Sequence, residues 1–428
     1  MSTPAPFTAK RPAARNAWTA LGVLLVVYLV NFMDRQVFAV LQEEFRVDLN
    51  LSDSQLALLG GTAFALFYAT LGIPIAILAD RTNRVRLIAA ACVVWSVFTA
   101  LSGLASNFVQ MLLARIGVAS GEAGGVSPSY SVLSDYFPPS KRAFAIGLFS
   151  IGAPLGLTAG SALGAFIADA LNWRWAFILV GLPGVLLALV LLVLVKEPKR
   201  GVFDTEALRA QKANALGALK LVFATPSLRL FTAAAAVTSF AGYSLYQWAP
   251  SFLIRSQGMT LEEVGAGLSP LFALGLIGSV AGGWMADRVG PGRPEAYGAI
   301  PGVTLLLTVP FFLGGLMAQD GRTTLLFFAI PLLLSYAWIG PALAATQTLT
   351  PPASRAAVAA IIGFFNNLIG IGLGPLAVGA LSDALRPHYG EGEALRLALM
   401  AGSSAFALAA VLFVAAGYAL KRDLKRRT

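Results

Sequence analysis

The chain has one cysteine and one histidine in 428 residues, and only 12% of its residues are charged. Cys92 stands alone in the apolar run LIAAACVVWSVF, so an intramolecular disulfide is impossible and a thiolate metal site is excluded. His388, in LRPHYGEGE, can build neither a histidine relay nor a two-histidine metal site, and it reads as an exposed loop residue. No G-x-x-x-x-G-K-[ST] phosphate loop occurs, which removes any basis for ATP-driven work. Haem and redox chemistry are likewise unsupported. No cofactor and no metal are expected.

The scarcity of charge has a counterpart in 57% hydrophobic residues, far more apolar surface than a soluble core hides, since soluble domains average about 25% charged. A net charge of +10 would suit a nucleic acid if the basic residues shared one surface. They lie instead between hydrophobic blocks, so the expected partner is the bilayer and not nucleic acid.

Crossing about 30 Å of hydrocarbon takes roughly 20 apolar residues, and unpaired backbone is excluded there, so the long apolar blocks must be helices. The first, from residue 17 to about 41, is too long for a signal-peptide core and should remain as an anchor. Twelve spans are expected, near 17–41, 54–79, 86–106, 108–136, 142–169 and 173–195, then 227–254, 261–286, 295–318, 323–349, 356–385 and 394–420. The expected organisation is an N-terminal tail (1–16), a six-helix bundle (17–195), a linker with an amphipathic run around 207–222 (196–226), a second bundle (227–420) and a basic tail (421–428).

With both termini cytoplasmic, the inner segments carry 23 Lys or Arg and the outer loops 6, so the orientation is strongly specified. The halves look related. Ala76-Ile-Leu-Ala-Asp-Arg-Thr-Asn-Arg84 recurs as Gly283-Trp-Met-Ala-Asp-Arg-Val-Gly290, and Pro138-Pro-Ser-Lys-Arg-Ala143 as Pro351-Pro-Ala-Ser-Arg-Ala356, at offsets of 207 and 213 residues. Both pairs fall at equivalent places in a six-helix count, as a duplicated half requires. The expected fold is therefore an all-α membrane protein of two six-helix bundles related by pseudo-twofold symmetry around a central cavity.

An ionisable group at mid-bilayer costs roughly 2.5 to 3.5 kcal/mol on insertion scales, so each one calls for a reason. Four stand out: Asp34 and Arg35 on helix 1, Arg115 and Glu122 on helix 4. Arg115 and Glu122 lie seven residues apart, about two turns and about 10.5 Å along the axis on one face. Their better partners are the opposite charges of helix 1, as Asp34 with Arg115 or Arg35 with Glu122. One reading is a network that locks the two helices together. The other is functional: Glu122 or Asp34 exchanges a proton during transport, and Arg115 or Arg35 binds an anionic head group. Buried pairs stabilise weakly, because desolvation offsets the Coulomb attraction, which favours the functional reading.

The second half offers polar and aromatic groups instead: Tyr243, Tyr246 and Gln247 on helix 7, Tyr336 and Trp338 on helix 10, Asn366 and Asn367 on helix 11. A cavity charged on one side and aromatic on the other suits an amphiphile. The loops after helices 2 and 8 are expected to form a cytoplasmic gate from Asp80, Arg81 and Arg84 and from Asp287 and Arg288, in which a carboxylate accepts from a helix N-terminus and pairs with Arg until the inner side opens. Glycine, 43 residues, concentrates in helices 4, 5, 8 and 11, where it permits close packing.

Residues 76–84 resemble the loop signature of the major facilitator superfamily, Gly-x-Leu-Ala-Asp-Arg-x-Gly-Arg, with Ala76 and Asn83 in place of the two glycines. Asn31-Phe-Met-Asp-Arg-Gln36, Arg115-Ile-Gly-Val-Ala-Ser-Gly-Glu-Ala123, Ser134-Asp-Tyr-Phe-Pro138 and Trp173-Arg-Trp-Ala-Phe177 are similar to bacterial spinster-like transporters, with Ala119 where glycine is usual. The resemblance implies a cycle between inward-open and outward-open states, proton-linked in some members, with the helix 1 and helix 4 charges at the cavity. It also implies lysophospholipids or sphingoid phosphates as cargo. The expected function is secondary transport of an anionic amphiphile by a monomer in a bacterial inner membrane, with small organic anions or drugs as the alternative cargo. A membrane-embedded lipid enzyme is disfavoured, because no nucleophile and base pair is apparent.

Overall fold

The computed structural model describes residues 14–203, 215–351 and 354–426. Residues 1–13 of the expected N-terminal tail, 204–214 of the linker and 427–428 of the basic tail lie outside them. The first six helices are α1 (Ala14–Asp48), α2 (Asp53–Arg81), α3 (Arg84–Ser102), α4 (Phe108–Glu122 and Val126–Tyr136), α5 (Pro139–Ser150 and Gly152–Ala170) and α6 (Trp173–Leu194). A linker helix (Ala215–Ala224) leads to α7 (Pro226–Arg255), α8 (Leu261–Val289), α9 (Ala296–Met317), α10 (Gly321–Leu349, broken at residues 335–338), α11 (Arg355–Tyr389) and α12 (Glu391–Lys425).

Among the described residues, ten of these helices are long and apolar enough on their own to cross a membrane. The other two are α4, which carries Arg115 and Glu122 and breaks at residues 123–125, and α7, which passes only together with the linker helix. In both, polar groups face protein and not lipid: Arg115, Glu122 and, on α7, Gln247 and Ser251 are buried.

The two halves repeat one pattern of neighbours. α1 packs on α5, α3 on α4 and α6; correspondingly α7 packs on α11, α9 on α10 and α12. Across the halves α5 meets α8 and α2 meets α11, which are the same two positions exchanged. Glycine makes the tightest approaches possible. A Cβ on Gly160 of α5 would fall 2.5 Å from the Met33 carbonyl oxygen of α1, so only glycine fits.

Several helices run past the apolar blocks that announced them. α1 continues to Asp48 because Gln42, Glu43 and Arg46 find polar partners beyond the hydrocarbon-compatible run. α12 continues to Lys425 for a similar reason: Lys421 reaches Glu295 at 2.8 Å, and Asp423 accepts the Ser227 N–H and hydroxyl at 3.1 and 2.5 Å, at the start of α7. Asn83, the departure from the loop signature, caps α3 by accepting the Arg86 N–H at 2.9 Å.

Two helices carry π turns where they meet. Residues Leu58–Thr62 of α2 and Asn366–Leu373 of α11 both widen to i→i+5 bonding. Pro375 has no N–H for the turn ahead of it, which frees carbonyls on α11. The Thr62 hydroxyl donates to the Gly372 carbonyl at 2.6 Å.

Candidate functional site

Let the end of the bundle holding Ala14 and Lys425 be the terminal face, and the opposite end the distal face. Near the middle, α1 presents Asp34 and Arg35 toward α4. Of the two pairings open from sequence, Arg35 with Glu122 forms: Arg35 Nε donates to Glu122 Oε2 at 2.6 Å, with Nη2 at 2.5 Å from the same oxygen. Asp34 and Arg115 do not form the other ion pair. Asp34 accepts the Thr99 hydroxyl of α3, a partner that one threonine in an apolar run could not announce.

Arg115 is 2% exposed and has no carboxylate in contact. Its guanidinium lies 4.4 Å from the Phe38 ring centroid and 5.4 Å from that of Phe64, while Nε and Nη1 have no hydrogen-bond partner. Arg115 lines a void of about 30 Å³ together with Arg35, Tyr243, Tyr246 and Gln247. The Tyr246 hydroxyl is also without a partner.

Beside this void is a cavity of about 300 Å³. Arg35 and Phe32 line it from the first half; Tyr243, Tyr246, Tyr336, Trp338, Asn366 and Asn367 line it from the second. Its lining runs from Tyr246 to Thr238 along α7, toward the terminal face. Gln247 is the exception among the expected cavity residues. Its Nε2 donates to the Leu56 carbonyl at 3.2 Å and its own carbonyl accepts Gln42 at 2.6 Å, so it ties the halves together and touches only the smaller void.

The distal face is closed by polar contacts that the sequence reading missed. Arg255 of α7 reaches Glu43 of α1 at 2.7 Å and Asp53 of α2 at 2.9 Å, and all three side chains are under 10% exposed. Arg386 of α11 adds a second contact to Asp53 at 3.2 Å, and Arg46 meets Glu391 at 3.0 Å. Asp383 takes the Asp53 and Ser54 N–H groups at 3.0 and 2.7 Å, satisfying donors that the first turn of α2 leaves free. The one local signal was Ser52-Asp-Ser-Gln55, which forms a capping box and marks the helix start.

The expected gate loops on the terminal face differ from one another. Asp80 is exposed, 4.0 Å from Arg200, which donates to the Ala79, Asp80 and Thr82 carbonyls. Arg81 is exposed as well. Arg84 corrects the expectation of a surface latch: it is 1% exposed and bonded to Asp135 at 2.5 Å and Glu197 at 2.7 Å, which straps the beginning of the linker to α3 and α4. Asp287 and Arg288 are exposed, with Arg288 over the Trp284 ring at 5.4 Å.

Among the described residues, twelve membrane-length helices in two repeated sixes, with a cavity between them and a closed face on one side, have the architecture of a membrane transporter. The sequence matches the Major Facilitator Superfamily over residues 24–375. It is 33% identical over 418 residues to the MFS-type efflux pump of Mycolicibacterium smegmatis, covering 97% of this chain and 96% of that protein. It is 26% identical over 400 residues to the sphingosine-1-phosphate transporter SPNS2 of Danio rerio, covering 89% and 79%. The crystal structure of a bacterial homologue of the human lysosomal transporter Spinster, inward-facing and unoccupied, superposes with a TM-score of 0.88 at 29% identity, over 96% of this chain and 99% of that one. The chain belongs to the Major Facilitator Superfamily, as a spinster-like integral membrane transporter. It is not an enzyme.

Proposed function

We propose that this transporter moves an anionic, lipid-like amphiphile by alternating access coupled to protons. One observation carries the reading: Arg35, bound to Glu122, forms one wall of a cavity whose opposite wall is tyrosine, tryptophan and asparagine. The charged wall suits a head group, and the aromatic wall suits an acyl or sphingoid chain. The Danio rerio relative, a sphingosine-1-phosphate transporter, points the same way.

The proposed mechanism follows from the ion pair. A proton on Glu122 removes the charge that holds Arg35, and the freed guanidinium turns its donors to the head group. Proton and anion are then linked, because each changes the site of the other. Asp34, on the Thr99 hydroxyl, is the second candidate carrier. Arg115 supplies Nε and Nη1 to the innermost anionic oxygen.

The positive-inside bias supports a cytoplasmic terminal face, in what we take to be a bacterial inner membrane, and with the distal face closed the conformer is then read as inward-facing. Asp80 and Asp287, exposed here, are proposed to engage helix ends when that face closes, with Arg81 and Arg288 beside them. A second reading, export of drugs or small organic anions, is favoured by the name of the Mycolicibacterium smegmatis relative.

Uptake of labelled lysophospholipid into proteoliposomes, with and without a pH gradient, tests the proposal. Gradient-stimulated uptake that Glu122→Gln abolishes supports lipid cargo and the coupling role. Absence of lysophospholipid uptake by folded, inserted wild type that does take up a labelled carboxylate or drug supports the second reading.

A further inference from the structure

Two guanidinium groups are buried within one cluster, yet only one of them has a carboxylate. Arg35 is paired with Glu122, whereas Arg115 is not, and Asp34 is engaged by a hydroxyl. Like charges brought out of water repel and lose hydration, and although Glu122 and Asp34 act on Arg115 through space, neither touches it, so negative potential at contact distance comes from elsewhere. Phe64 of α2 occupies the place where that source is required. Its ring centroid is 4.7 Å from the Arg35 guanidinium carbon and 5.4 Å from that of Arg115, and the side chain is 2% exposed.

We infer that Phe64 is a positioning residue whose ring stabilises both guanidinium groups at once, keeping Arg115 charged and free of any carboxylate. The faces of an aromatic ring carry negative potential, and a cation over such a face is attracted more strongly in a desolvated site than in water. Phe38 completes the enclosure of Arg115 at 4.4 Å; Phe32 and Tyr68 do the same for Arg35 at 5.0 and 5.2 Å. Phe64 alone is common to both. It also lies two residues after the π turn of α2, whose Thr62 holds α11, so the contact across the halves sets where the ring stands. This assignment concerns the same charged site as the transport reading and deepens it, by naming what leaves Arg115 available to an anionic oxygen.

The test replaces Phe64 by a series of progressively fluorinated phenylalanines, which keep the shape of the ring and withdraw negative potential from its faces. Thermal unfolding of the full-length protein in nanodiscs should fall stepwise along the series, by on the order of 3 °C in total. The same series in an Arg35→Gln, Arg115→Gln background should be flat. A flat series in the wild-type background, or an equal slope in both, makes Phe64 a packing residue and overturns the inference. Phe64→Leu gives a second readout, since affinity for lysophosphatidylglycerol should drop roughly tenfold or more while Phe64→Tyr keeps wild-type affinity. Unchanged affinity in Phe64→Leu also overturns the inference. Failure of the wild type to bind lysophosphatidylglycerol counts against the lipid reading alone, because the unfolding series needs no ligand.

Discussion

Asp383 of α11 caps α2 of the other half: its carboxylate accepts the Ser54 N–H at 2.7 Å and the Ser54 hydroxyl at 2.6 Å. Helix N-termini carry partial positive charge and unsatisfied donors, so a carboxylate delivered from another helix makes a strong but reversible clasp. Opening the distal face requires these bonds to part. Asp383→Asn should therefore shift the equilibrium toward the distal-open state by about 2 kcal/mol, roughly thirtyfold. Distances between spin labels on the distal loops of the two halves would measure it, and an unchanged distribution would discard the clasp.

Arg255 serves two carboxylates on the opposite half, Glu43 and Asp53. Removing the guanidinium takes from both carboxylates their most buried cation, leaving Glu43 to Arg46 and Asp53 to Arg386, and breaking buried pairs costs up to about 3 to 5 kcal/mol. Arg255→Met should populate the distal-open state more than Asp383→Asn does, and should lower thermal stability. The two substitutions together should be less than additive, since Asp53 contacts Arg255 and its N–H contacts Asp383.

Gly160 and Gly147 lie on the same helix and should respond in opposite ways. A Cβ at Gly160 meets backbone of α1, whereas one at Gly147 meets nothing within 4 Å. Gly160→Val should destabilise by at least about 1 to 3 kcal/mol, and Gly147→Ala should stay within about 0.5. Thermal unfolding in detergent distinguishes them, and equal behaviour would refute the packing argument.

Arg84 and Arg81 also diverge despite their common motif. Arg84→Gln leaves Asp135 and Glu197 without their shared cation and should cost about 3 kcal/mol, with faster trypsin cleavage at Lys199 and Arg200. Arg81→Gln, at an exposed position, should change stability by no more than about 0.5 kcal/mol.

The twelve helices were legible because lipid permits few alternatives to a long apolar helix, and even α4 was found through length despite its charges. Helix ends were less legible: the extension of α1 to Asp48 depends on partners such as Gln247 and Glu391, which are distant in sequence. Among the intramembrane charges, helical spacing placed Arg115 and Glu122 on one face but left two pairings with helix 1. Rotation of α1 against α4, and the Thr99 hydroxyl of α3, selected between them. Gln247 shows a second kind of ambiguity, a polar residue that lines the smaller void while its side chain donates to Leu56 of α2, a contact no local pattern announces.

Hydrophobic run length, the distribution of arginine and lysine, and the duplicated loops determine by themselves that this chain crosses the membrane in two related halves. Those signals are local or additive along the chain, so no knowledge of contacts is needed to read them. Tertiary structure alone decided that Arg84 is a buried strap, that Asp53, Arg255 and Asp383 close the distal face, and that Phe64 stands between two arginines. Each of these rests on where one helix presents its side chain to another, and a contact across about 50 to 330 residues depends on packing angles that residue order does not encode locally.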